Sequence, residues 1–174
     1  MRKLTYMSIW HLINAWKDDG KLIILQPEFS PSTGGRFVIA TKNVYEELYG
    51  VWEDPGVGER YARARQLVES FVNNSRMKAR FPPSKSVHAQ LALLDSPGEE
   101  VWEFRTKRPA VRVFGRFAEF NVFIALNTEL REKIDASFDQ EKKDCKKIWR
   151  EFFPSYDPYT GTKISDYFDN FDAV

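Results

Sequence analysis

The sequence predicts an α+β fold: an antiparallel β-meander packed against preceding helices and one C-terminal helix, with an N-terminal helix and hairpin extension. Three observations predict it. Apolar residues recur with a helical period over residues 9–16 and 59–73, the period changes to two from residue 101 through three successive runs, and a helical period returns over residues 138–152. The 174 residues suit one domain or one domain with a substantial extension.

Ile9, Leu12, Ile13 and Trp16 fall on one helical face, and Gly20 follows as a C-terminal cap. Residues 22–25 and 36–40 are β-prone runs separated by Pro27, Pro31 and Ser32-Thr33-Gly34-Gly35, which predicts two strands joined by a long turn. Asn43 with Glu46 three residues on has capping-box spacing, and Val44, Tyr45, Leu48 and Tyr49 continue the period, so a helix is expected to start at Asn43 and end near Trp52. Asp54-Pro55-Gly56-Val57-Gly58 disfavours any regular element. The boundary is set there, with residues 1–54 as the extension and 55–174 as the main domain.

Tyr61, Ala64, Leu67, Val68, Phe71 and Val72 predict a helix over residues 59–73, closed by Asn73-Asn74-Ser75 and Pro82-Pro83. Residues 87–94 fit a second short helix or a strand, and Ser96-Pro97-Gly98 ends that piece. Residues 101–106, 110–118 and 121–128 form the meander, joined by connections short enough for antiparallel neighbours. Phe138, Lys142, Cys145, Ile148, Trp149 and Phe152 line a helix stopped by Pro154, and the tail beyond it is aromatic and acidic.

Lys plus Arg number 26 against 25 Asp plus Glu, which excludes a uniformly basic nucleic-acid coat and makes any basic site local. A single cysteine, Cys145, excludes an internal disulfide framework and a thiolate zinc site; with only His11 and His88 besides, neither a metal site nor a cofactor is expected. This composition predicts a reducing, cytoplasmic setting. Ser8, His11 and Asn14 interrupt the apolar stretch after Met1-Arg2-Lys3, so the start is read as mature protein, and no apolar run reaches membrane-spanning length.

Alternation along the meander assigns Trp102, Phe104, Val111, Val113, Phe117, Val122, Ile124 and Leu126 to one apolar face. The other face then carries Glu103, Arg105, Arg112, Phe114, Arg116 and Phe123. Between Arg105 and Arg116 stand five basic residues (Arg105, Lys107, Arg108, Arg112 and Arg116) and no acidic one. Guanidinium forks suit phosphate oxygens, and the rings of Phe114 and Phe123 suit stacking of unpaired bases, a combination fitted to single-stranded RNA. The plainer reading is a solvated basic face, with Glu103 pairing Arg105 along one strand and the phenylalanines lying in the core.

Leu93-Leu94, then Val101-Trp102-Glu103-Phe104-Arg105, then Arg112-Val113-Phe114 resemble the RelE/HigB-like superfamily of bacterial toxin endoribonucleases, especially its phage-derived branch. The resemblance covers roughly a third of the chain and is absent from residues 1–54. It implies a RelE-like fold and metal-independent cleavage of mRNA, often on the ribosome, by attack of the 2′-hydroxyl on the adjacent phosphate. Arg105 and Arg112 match the family's positions and would clamp that phosphate, while Lys107, Arg108 and Arg116 are basic neighbours. His88 or a tail tyrosine such as Tyr156 is the candidate for proton transfer. A cognate antitoxin protein is the implied partner, with the acidic tail covering part of the basic face. The sequence departs from the family after the third strand, where Asn127-Thr128-Glu129-Leu130-Arg131-Glu132-Lys133 is mixed in charge. A non-catalytic RNA- or protein-binding module of phage or mobile-element origin is the alternative.

Overall fold

A computed structural model of the chain describes residues 8–27, 35–94, 98–108 and 110–174. In chain order the elements are α1 (Ile9–Asp18), β1 (Leu22–Ile24), β2 (Phe37–Thr41), α2 (Lys42–Tyr49), α3 (Pro55–Val72), β3 (Met77–Arg80), β4 (Leu91–Leu93), β5 (Trp102–Arg105), β6 (Val111–Glu119), β7 (Val122–Leu130), α4 (Asp139–Phe152) and β8 (Phe171–Ala173). The fold is mixed α+β, and one eight-stranded sheet runs in the order β1-β2-β7-β6-β5-β4-β3-β8. Among the described residues no helix is long and apolar enough to cross a membrane.

The expected meander is present as β5, β6 and β7, antiparallel neighbours in sequence order. Five further strands extend it on both sides. β2 joins β7 in parallel, with Ile39 opposite Ile124, so the sheet continues across the boundary expected at residue 54. β1 pairs antiparallel with β2, as the two N-terminal runs suggested. The turn residues Pro31, Ser32, Thr33 and Gly34 lie outside the described residues, as do Ser96 and Pro97. Residues 87–94 resolve into an exposed Val87 and the strand β4 rather than a helix.

Helix starts follow side-chain chemistry more closely than spacing alone suggested. The Thr41 hydroxyl, not Asn43, caps α2 by accepting from the Val44 amide, because the last residue of β2 leads straight into the helix. Asp54 accepts from the amides of Gly56 and Val57 and Pro55 fills the first helical position, so the segment expected to be irregular is the first turn of α3. At the other end of α1, Gly20 adopts φ +71, the left-handed conformation that glycine tolerates best.

Both faces of the sheet are covered. α2 and α3 bury Val44, Leu48, Tyr61, Val68 and Phe71 against Trp102, Phe104, Val113, Phe117 and Phe123. On the reverse face α1 and α4 bury Ile9, Ile13, Cys145 and Trp149 against Ile39, Phe114, Ile124 and Leu126. Val38, Ile39 and Ala40 are consecutive and each 0% exposed, as a strand enclosed on both sides requires. Cys145 is a core residue, and burial pushes its thiol up to about 12. The tail is part of the same core: Ile164, Tyr167 and Phe168 pack on the α2/α3 face, and β8 pairs in parallel with β3.

The β6–β7 ladder shifts register between Phe114 and Gly115 and again between Phe117 and Glu119. These irregularities re-phase the two strands: Arg116 faces Ile124 and Phe117 faces Phe123. Phe123 therefore joins Trp102 and Phe104, while Val122, Ile124 and Leu126 lie on the face of the arginines, the reverse of the expected assignment.

Arg36 ties the tail to this frame. It is 1% exposed; Nη1 donates to the carbonyls of Phe71 (3.4 Å) and Ser75 (2.9 Å), and Nη2 donates to those of Asp169 (2.8 Å) and Asn170 (2.9 Å). Its guanidinium lies 4.7 Å from the Phe71 ring centroid and 5.5 Å from that of Phe168. Arg36→Met is expected to cost about 3–5 kcal/mol because four carbonyls lose a charged donor. Urea unfolding should show a lower midpoint at unchanged slope, and a loss below about 1 kcal/mol would refute the role. Gly115→Ala should cost about 1–3 kcal/mol or more by the same measurement, since the added β-carbon would lie 2.1 Å from the Ile124 carbonyl oxygen; wild-type stability would mean that the two strands separate without penalty.

Candidate phosphate-binding site

Arg105 and Arg112 stand directly opposite each other on β5 and β6. Cross-strand partners point to the same side of a sheet, and both side chains here turn toward the α1/α4 face. Between their guanidiniums lies Glu103, whose side chain is 0% exposed. Arg105 Nε donates to Glu103 Oε1 at 2.5 Å, and Arg112 Nε lies 3.1 Å from Oε2 without hydrogen-bond geometry. One carboxylate thus holds two arginines, so the pairing of Glu103 with Arg105 expected from the plainer reading is present and extends across the strands.

Backbone carbonyls complete the mounting. Arg105 Nη1 donates to Ser86 (3.3 Å), and Arg112 Nη1 donates to Thr106 (3.2 Å) and Val111 (3.5 Å). The two side chains remain 15% and 14% exposed, and among the described residues neither Nη2 makes a hydrogen bond. Burial pushes the Arg112 guanidinium below its usual range; the charge of Glu103 opposes this, and those of Arg105 and Arg131 add to it. The arrangement can offer one N–H from each of two fixed arginines to an anion, at little cost in side-chain ordering.

Lys107 and Arg108 lie exposed on the connection between β5 and β6, next to this pair. His88 is exposed on residues 84–90, the segment whose Ser86 and Gln90 carbonyls accept hydrogen bonds from Arg105. The structure therefore gathers Arg105, Arg112, Lys107, Arg108 and the His88 segment at one corner of the sheet.

Three other expected site residues lie elsewhere. Phe114 and Phe123 are both 0% exposed and occupy opposite faces of the sheet, so neither ring can stack a base. Both faces are covered, and the re-phased β7 turns Phe123 to the far side. Arg116 is 5% exposed beneath α4, donates from Nη2 to the Glu99 carbonyl at 2.6 Å and lies 5.6 Å from the Trp149 ring; it braces the β4–β5 connection and does not reach solvent. The tail does not cover the basic corner: Tyr167 and Phe168 belong to the opposite face, and Tyr156 packs with α1 and α4.

Arg131 is the residue that sequence reasoning left aside, inside a turn of mixed charge. Its amide donates to Ala110 at 2.9 Å, which extends the β6–β7 ladder by one position, and its guanidinium lies 5.1 Å from the Phe138 ring, itself packed on Phe114. Arg131 therefore shares the face of Arg112. The neighbouring acids are engaged elsewhere: Glu132 pairs with Arg60 through both oxygens at 2.6 Å, and Glu129 accepts from the Leu130 amide. No linear motif signals Arg131; only the register does.

Comparison of the chain with protein-family models, curated proteins and solved structures finds no match.

Glu103→Gln is expected to cost about 3–5 kcal/mol, because two partly buried guanidiniums lose their shared counter-charge. Combining it with Arg112→Met should recover part of that loss, with a coupling above about 1 kcal/mol in a double-mutant cycle read by urea unfolding. Additive losses would show that Glu103 does not hold the pair together.

Proposed function

We propose that this chain binds the phosphate backbone of single-stranded RNA at the corner formed by Arg105 and Arg112. The observation that carries the reading is the pair of guanidiniums fixed on a buried carboxylate, each with an Nη2 uncommitted among the described residues. Phosphate oxygens accept such donors in the plane of the fork, and Lys107 and Arg108 beside the pair would add charge along the strand. With Phe114 and Phe123 buried, the binding rests on the backbone, and little base preference follows.

The fuller reading is a toxin-like, metal-independent endoribonuclease acting on mRNA, as the RelE/HigB resemblance implies, with a cognate antitoxin covering the corner. His88 favours it: its imidazole is exposed on the segment that Arg105 holds, where a proton acceptor for the attacking 2′-hydroxyl would be needed. In that reading Arg105 and Arg112 stabilise the charge that develops on the phosphate.

Fluorescence anisotropy of single-stranded RNA across salt tests the binding. A Lys107→Ala, Arg108→Ala double variant changes only exposed side chains and should flatten the slope of log affinity against log salt by about 0.7 for each phosphate that the variant no longer neutralises. Equal slopes, or no binding by the parent protein, would remove the reading. Induction in a bacterial host with RNA ends mapped afterward tests cleavage; a His88→Ala variant should lose the cuts and retain RNA binding, whereas intact transcripts with the parent protein would leave binding alone.

A further inference from the structure

We propose that the corner where Arg105, Arg112 and Arg131 share one face of the sheet takes a phosphomonoester dianion, the phosphate at the end of an RNA strand, in preference to an internal diester. This rests on the RNA reading above. Three guanidiniums and the buried Glu103 carboxylate stand together at this corner, a balance of two positive charges among these four groups. Glu129 stands opposite Arg112 on β7, but its carboxylate turns away to the Leu130 amide and toward Glu47 on α2, and the Glu132 charge is paired with Arg60. A phosphomonoester carries about −1.5 to −2 near neutral pH, whereas a diester carries about −1. Charge matching favours the group that leaves no excess behind.

The surroundings agree. On one side Arg105 is tied to the Ser86 and Gln90 carbonyls, and on the other the Arg131 guanidinium lies against Phe138 at the start of α4. An internal diester must carry a nucleoside away in both directions. A terminal phosphate needs one exit, and the side of Lys107 and Arg108 supplies it. Arg131 Nη1 is taken by the Ile134 carbonyl at 2.9 Å, so its remaining N–H groups, with Nη2 of Arg105 and of Arg112, are the donors for a terminal phosphate, which has one more unesterified oxygen than a diester.

The test compares strands of about 12 nucleotides that differ only at one end, by anisotropy with the label on the other end. A 5′-phosphate or a 3′-phosphate is expected to tighten binding to the parent protein about tenfold over a hydroxyl end, equivalent to about 1.4 kcal/mol. Arg131→Gln should shrink that ratio to about threefold or less. Competition by a 5′-mononucleotide with the affinity of the phosphorylated strand would support the phosphomonoester site and assign it to small nucleotides; failure of the mononucleotide and of inorganic phosphate to compete would support the strand end. Phosphorylated and hydroxyl strands that bind alike, with a salt slope still sensitive to Lys107 and Arg108, would overturn this inference and leave RNA binding standing. Absence of binding by every strand and by the mononucleotide would remove both.

Discussion

A β-carbon at position 115 would lie 2.1 Å from the Ile124 carbonyl oxygen and 2.5 Å from the Phe123 ring, so β6 and β7 can close here only around a glycine. At this point the ladder shifts register, and Leu126 falls between the paired positions Ala125 and Asn127. The extra residue turns Ala125 and Phe123 toward α3 and leaves Ile124 and Leu126 for α4. Much of the molecule follows from that exchange. Phe123 can pack against Phe104 and Phe117, and Ile124 can line up with Ile39 on the neighbouring parallel strand.

A sheet covered on both faces leaves little room for charge, and the arginines on it divide by position. Arg116, in the middle of β6 under α4, is satisfied by the Glu99 and Glu100 carbonyls and becomes part of the frame. Arg105 and Arg112 stand near the end of the sheet, where the helical layer is thin enough to leave each about one seventh exposed. Their alignment depends on Glu103, since two guanidiniums facing each other at a cross-strand position would repel without a shared anion. The same carboxylate that reduces the net charge of the corner also orients it. Arg36 performs a comparable task deeper in the molecule, where four carbonyls and the Asp169 carboxylate, 3.6 Å from Nε, bind the tail to the C-terminal end of α3.

Local chemistry was legible wherever it acts over a few residues. The helical periods of α1, α3 and α4, the three strands of the meander and the grouping of Arg105 with Arg112 could all be read directly, because alternation and the 3.6-residue period are properties of the backbone itself. The starts of α2 and α3 were legible in principle, through Thr41 and through Asp54-Pro55, but the competing signals of Asn43 and of two glycines masked them. β3 and β8 are short strands that pair with each other across more than ninety residues, and nothing in either segment announces its partner. Arg131 joins the candidate site only because its amide continues the β6–β7 ladder one position past the end of β7.

Sequence alone determined the kinds of element present, the local concentration of positive charge in a nearly neutral chain, and the side-by-side placement of two arginines, since each depends on spacing within one or two adjoining strands. Tertiary structure decided which of those charges meet solvent. A strand cannot encode whether a second layer will cover its outer face, and that layer here comes from α1, which precedes the sheet, and from α4, which follows β7 and folds back over β6 and β7. Burial by α4 withdrew Phe114 and Arg116 from any ligand, and the β6–β7 register withdrew Phe123. The corner where the cover ends kept Arg105 and Arg112 within reach.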